Sequence, residues 1–439
     1  MNSKHLVFTG GTVVKGTDEP EMHEATIEIE NGKITDVYQG KGASNQSGKT
    51  TFDVSGMTII PGLIDIHAHH VARFDAIRKL LLSHGVTTVR DAEVTSIRAR
   101  IFKLRRKIMI RKAPNPGVLL TSPFFDSTPD GVCLKIHSFI AKPVIVNDEK
   151  SGRLEVNKAK KTGFDVLEVS FNIDKEVMKA IVSSAKDLEM PVIGDFLFSR
   201  RVFATDAANA GVRALDHASG IAQQCCGNLS TVGFFEEWEN ADEEKALALA
   251  RDLARTGVFL VPTLVWFETQ SRLSEYSVNS VPLIELLPEQ VRRTWIHPTP
   301  PFGIEKWMKG ARASFVKIEK FLGAFARSGG KIATGTDSPL YYVFPGASML
   351  REIELLVAAN LTPMEAIQAA TRNSAELLNN NNIGTIEKGK LADLVIVDGN
   401  PLKDINMIHR IKMVIKKGEI FYPETVLKSI RRTPVREVH

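Results

Sequence analysis

The stretch Ile59-Ile60-Pro61-Gly62-Leu63-Ile64-Asp65-Ile66-His67-Ala68-His69 decides how the rest of the chain is read. Its apolar run predicts a buried strand. Strand side chains alternate with a period of two, so His67 and His69 leave it on the same side. Two imidazoles side by side at a strand end are a ready pair of ligands for a divalent metal. The plain alternative is two polar residues held by ordinary hydrogen bonds. The Pro-Gly turn and the apolar run in front of the pair argue against it.

A chain of 439 residues accommodates one large domain and a smaller one. With 43% hydrophobic and 24% charged residues, the composition is that of an ordinary soluble globular protein. No apolar run approaches the length that spans a bilayer, and Leu6-Val7-Phe8 is too short for the core of a secretion signal. The expectation is a soluble, cytoplasmic protein with no membrane partner. The formal charge of +5 is small for this size. Basic residues gather at 98–112 and 428–436. Without interleaved aromatics or a nucleic-acid motif they read as solvated helix faces, so no nucleic-acid partner is expected. Cys133, Cys225 and Cys226 form no framework of spaced pairs. A bridge between vicinal Cys225 and Cys226 would be strained, which makes reduced thiols the expectation.

Both ends of the chain read as short strands with turns: 6–8, 12–14, 25–29 and 33–37 at one end, 384–397, 413–415 and 419–421 at the other. The economical arrangement is a small β-sandwich domain assembled from residues 1–60 and 385–425. Residues 61–384 are then inserted as a second domain, with 426–439 as a C-terminal tail. The middle alternates strand and helix. Strands are predicted at 58–66, 86–90, 117–120, 166–169, 191–193, 214–216, 258–263 and 331–335. Helices are predicted at 73–83, 151–162, 175–188, 204–210, 243–256, 306–328, 347–360 and 363–378. That is the α/β pattern of a (β/α)8 TIM barrel. The Pro-rich segment 266–303 is a candidate lid or dimer contact, which leaves a homo-oligomer open.

In such a barrel the active site lies at the C-terminal ends of the strands. Strand one ends in His67 and His69. Strand four carries Glu168 inside an apolar run, where a carboxylate is costly unless paired or metal-bound. Strand five ends in Asp195, strand six in His217 and strand eight in Asp337. Three imidazoles and three carboxylates on one rim point to a metal.

With these residues in view, the chain resembles the amidohydrolase superfamily, in its imidazolonepropionase-like and prolidase-like branch. The segments that carry the likeness are Pro61 to His69, His84-Gly85-Val86-Thr87-Thr88-Val89-Arg90-Asp91, Gly335-Thr336-Asp337-Ser338 and Gly389-Lys390-Leu391-Ala392-Asp393-Leu394. The resemblance covers nearly the whole chain. It implies that His67, His69 and Asp337 hold one divalent metal and His217 a second. Two positions depart from the pattern. Glu168 stands where the family has a carbamylated lysine that bridges two metals, and Asp195 stands where it has histidine. Three arrangements stay open: a binuclear site bridged by Glu168 with Asp195 as a ligand, a mononuclear site on His67, His69 and Asp337, and a degenerate site without catalytic metal. Zinc is expected from its abundance, while the added carboxylates suit manganese or iron.

The resemblance implies metal-assisted hydrolysis of a C–N bond in an amide, a cyclic amide or a C-terminal peptide bond of a small molecule. Asp337 would shuttle the proton, and His217 would polarise the scissile carbonyl or hold the second metal. Trp266, Phe267, Tyr341, Tyr342 and Phe344 follow strands seven and eight as candidate pocket walls. The competing readings are a lyase, decarboxylase or isomerase on the same scaffold, and a non-catalytic binding protein.

Overall fold

The computed structural model describes residues 5–40, 48–92, 115–128, 143–233, 235–300 and 303–431; the basic run 98–112, Cys133 and the end of the basic tail lie outside them. In it, the stretch from Ile59 to His69 is two strands rather than the single one expected. Met57–Pro61 pairs antiparallel with Leu394–Asp398 and parallel with His5–Val13, while Leu63–Ala68 pairs parallel with Val86–Asp91. The change of sheet falls at Gly62, where a Cβ would lie 2.2 Å from Thr87 Oγ1. Both halves are buried, so no polar residue marks the boundary between them.

The terminal strands form one mixed sheet in the order Glu419–Phe421, Ile411–Lys416, Leu394–Asp398, Met57–Pro61, His5–Val13, Met22–Glu30, Lys33–Gln39, with Lys49–Asp53 also paired to His5–Val13. Its own apolar core includes Phe8, Ile27, Ile29, Ile59, Leu394, Ile396 and Ile415.

Among the described residues, eight parallel strands make the barrel: Leu63–Ala68, Val86–Asp91, Gly117–Leu120, Leu167–Val169, Val192–Gly194, Ala214–Asp216, Phe259–Val261 and Lys331–Ile332, with the short strands Phe125–Asp126 and Val144–Ile145 paired on beside Leu167–Val169. A bridge from Thr121 to Val166 joins strand three to strand four. Strand eight closes on strand one through Ile66 N to Thr334 O (2.8 Å) and Thr336 N to His67 O (3.0 Å). Ile64, Ile66, Val166, Ile193, Ala214, Phe259, Val261 and Ala333 fill the interior, so the barrel is a packed core and leaves only its mouth for chemistry.

The helices between the strands carry local start and stop signals. Glu149–Thr162 begins at Asp148, whose side chain accepts from Ser151 N at 2.7 Å, and ends at Gly163 with φ of 90°. The helix expected over 363–378 contains a π turn at Ala369–Asn373, where Ser374 Oγ donates to Ala369 O. Of the segment 266–303, the described residues up to 300 form the end of helix Leu264–Ser271, several 3-10 turns and helix Glu289–Ile296. It is fastened by the fully buried Trp295, whose Nε1 donates to Pro339 O at 2.8 Å. Pro423–Arg431 forms a helix that packs on Asp75–Ser83 with Val426 and Ile430 buried. Cys225 and Cys226 are free thiols. Among the described residues, no helix is long and apolar enough to cross a membrane.

Candidate active site

His67 lies within strand one, and His69 follows directly after its end. The chain leaving strand eight runs so close that a Cβ on Gly335 would lie 2.8 Å from His67 Cβ. The N–H groups of Thr336 and Asp337 both donate to His67 O, at 3.0 and 2.7 Å. Asp65 ties the same strands together by accepting His67 N, Thr336 N and Thr336 Oγ1. These links place Asp337 Oδ1 2.7 Å from His69 Nε2 and 3.4 Å from His67 Nε2. The ligand atoms of the three residues lie within 4.8 Å of one another, and all three residues are buried.

The second nitrogen of His67, Nδ1, sits 2.8 Å from Asp216 Oδ2, which also accepts from Arg90 Nη2 at 2.7 Å. A carboxylate behind a ligating imidazole holds the ring in place and fixes its tautomer. His217 follows strand six at φ of 59°, with Nδ1 2.8 Å from Thr263 Oγ1 and Nε2 3.9 Å from Asp195 Oδ2. Its ring centroid is 4.7 Å from that of His67. Glu168 lies deeper. Both of its carboxylate oxygens are buried without a hydrogen-bond partner among the described residues, and Arg90 Nη1 is 3.8 Å from Oε2.

The electrostatics follow from this packing. Burial pushes the Asp337 carboxyl up, but hydrogen bonds from His67 and His69 outweigh it and hold the group far below the usual carboxylate range. Burial disfavours a charged His67, yet Asp216 and Asp337 raise it well above an ordinary imidazole. Burial and the neighbouring His67 push His217 down to about 4, so it is neutral at neutral pH. Burial pushes Asp195 up to about 7, and raises Glu168 against the pull of Arg90. Two imidazole nitrogens and an ionised carboxylate oxygen form a donor set that divalent zinc, manganese and iron accept.

A cavity of about 620 Å³ opens above these groups and is lined by five of the six expected site residues, His67, His69, Asp195, His217 and Asp337. Glu168 is not among the lining residues. Of the five aromatics expected as walls, Trp266 and Tyr341 line the cavity. Phe267 is buried in the core, Tyr342 stacks on Tyr276 at 5.2 Å and Phe344 packs near Trp295. Their spacing along the chain could not tell cavity from core. The walls are completed by Phe124, Phe198 and Trp307, which sequence reasoning did not select. It also passed over Arg90, Asp216 and Thr263. A signal existed for the first of these. Arg90 is a charge inside a wholly buried strand, the same anomaly that singled out Glu168.

The model of the family described as "Amidohydrolase family" matches residues 58–421. The chain belongs to the amidohydrolase family. Among its relatives is an adenine deaminase of Leuconostoc citreum (strain KM20), 22% identical over 411 residues that make up 91% of this chain and 58% of that protein. This amidohydrolase therefore spans less than two thirds of that relative's length. Among solved structures, a Xaa-Pro dipeptidase with bound methionine superposes with a TM-score of 0.71 at 22% identity, covering 95% of this chain and all of the other. A putative prolidase from Bifidobacterium longum gives 0.70 at 21% identity, covering 98% and 99%. At such identities these structures speak for the fold alone, a TIM barrel. Dependence on a divalent metal is typical of amidohydrolases, and among the described residues His67, His69 and Asp337 form a buried group that could hold one.

Proposed function

We propose that this amidohydrolase cleaves an amide, a cyclic amide or a C-terminal peptide bond in a small molecule, with a divalent cation held by His67, His69 and Asp337. One observation carries the reading: two imidazole nitrogens and a carboxylate oxygen converge within 4.8 Å at a cavity of about 620 Å³. A bound cation supplies Lewis acidity and lowers the pKa of water from about 15.7 toward about 7. Asp337 has both histidine contacts on Oδ1, so Oδ2 is the oxygen left to take a proton from the attacking water and return it to the leaving nitrogen. His217 is neutral, and in the tautomer whose Nδ1 accepts from the Thr263 hydroxyl its Nε2–H would polarise the scissile carbonyl.

Asp195 and His217 are the pair available to a second cation, with Glu168 as its bridge. The position of Glu168 beside Arg90 and outside the cavity lining favours one tightly held cation over two. Phe124, Phe198, Trp266 and Trp307 give the cavity an apolar wall suited to a substrate with an apolar or aromatic group beside the scissile bond. Relatives named for adenine and for Xaa-Pro dipeptides set the first compounds to try.

The test is elemental analysis of the purified protein, followed by a panel of N-acyl amino acids, dipeptides, small lactams and adenine in isotopically labelled water. Stoichiometric metal and label in the product support the reading. Protein without bound metal sinks it, and turnover without label assigns the site to lyase or isomerase chemistry instead.

A further inference from the structure

We infer that Glu352, on the helix Ala347–Ala358 beyond strand eight, is a positioning residue that sets the orientation of His217 through Thr263. The inference rests on the reading of His217 as a site residue. Glu352 is fully buried, and its two carboxylate oxygens accept from Leu264 N at 3.0 Å and Val265 N at 2.7 Å. These are the first two N–H groups of the helix Leu264–Ser271, which have no partner within that helix. The residue in front of a helix commonly caps such groups with its own side chain. Thr263 occupies that place and makes no cap hydrogen bond. Its Oγ1 is instead 2.8 Å from His217 Nδ1. A carboxylate from a distant helix thus does the capping and leaves the threonine hydroxyl to the imidazole.

The backbone shows why this needs enforcing. Thr263 sits at φ of 50°, in the left-handed region that a β-branched side chain rarely adopts. Anchoring the next two N–H groups on Glu352 holds the chain there. The strand before it is tied to the same histidine, because His217 N donates to Val261 O at 2.8 Å. With Nδ1 fixed, Nε2 is directed toward Asp195 and the cavity. The helix that Glu352 caps also carries Trp266, whose ring centroid is 5.7 Å from that of His217. Releasing the cap would therefore move an imidazole and a cavity wall together.

The experiment uses full-length protein carrying isotope-labelled histidine. The His217 ring-nitrogen resonances are identified by their loss in His217→Gln. Thr263→Val removes the hydroxyl and should shift the Nδ1 resonance. Glu352→Gln should shift the same resonance in the same direction, and with a substrate in hand should lower kcat by about tenfold to a hundredfold at little-changed KM. Should Glu352→Gln not fold, Glu352→Asp, which draws the carboxylate back, is expected to give a smaller shift of the same sign. A folded Glu352 variant with His217 resonances as in the parent, beside a shifted Thr263→Val, would overturn the inference. The resonance is read without turnover, so a protein that hydrolyses nothing in the panel refutes the proposed reaction and leaves this test standing.

Discussion

His67 is gripped from both sides, by Asp216 on Nδ1 and by Asp337 near Nε2, and both contacts favour the charged ring against the cost of burial. A cation at Nε2 must displace a proton from that ring. Metal affinity should therefore rise with pH through neutrality, by about tenfold per unit while His67 holds its proton, with proton release on binding. Titration calorimetry in buffers of different ionisation enthalpy reads both; a flat profile would take His67 out of the ligand set. Asp216→Asn removes the charge behind the ring and should weaken metal binding by about 10- to 100-fold, measured against a competing chelator. Unaltered affinity would mean that Asp216 serves only to neutralise Arg90. Asp337→Asn should abolish turnover while the circular dichroism spectrum stays that of the parent, and retained activity would remove the proton shuttle. His67, His69 and Asp337 were legible in the sequence because ligand-type residues at strand ends obey a local period. Asp216 was not, because its partners His67 and Arg90 lie 149 and 126 residues away along the chain.

Among the elements, strand eight shows how tightly the site is framed. A Cβ on Gly335 would meet Val261 Cγ1 at 2.6 Å and His67 Cβ at 2.8 Å, both on packed strands. Gly335→Ala should cost about 1–3 kcal/mol in denaturant unfolding and weaken metal binding as well. Full stability in that variant would show that the end of strand eight moves freely. The eight barrel strands were legible from apolar runs alternating with helical periodicity. The break at Gly62 was not. An apolar strand buried in one sheet looks the same as one buried in the next, and Thr87, which forbids a side chain there, belongs to another strand.

For the whole molecule, the two sheets share apolar packing. Ile60, Val395 and Val397 from the terminal sheet belong to the same buried cluster as Leu63, Leu80 and Val86 of the barrel. The two parts should therefore unfold together. The four tryptophans, Trp238, Trp266, Trp295 and Trp307, all lie in the barrel half of the chain. Their fluorescence should follow the same guanidinium transition as far-ultraviolet circular dichroism, whereas two separated transitions would show that the terminal sheet is an independent unit.

Readable from residue order were the alternation of strand and helix, the barrel it implies, and the place of His67, His69 and Asp337 at strand ends on one rim. Each follows from periodicity and residue type over a few neighbouring positions. Folding alone brings Glu168 against Arg90 below the cavity, sets Trp266 and Tyr341 in its lining while Phe267 stays in the core, and puts Glu352 at the cap of the helix beside His217. Those outcomes depend on which side chains come within a few ångströms across the barrel. Burial there makes an unpaired charge costly, so each charge takes whatever partner the fold brings to it.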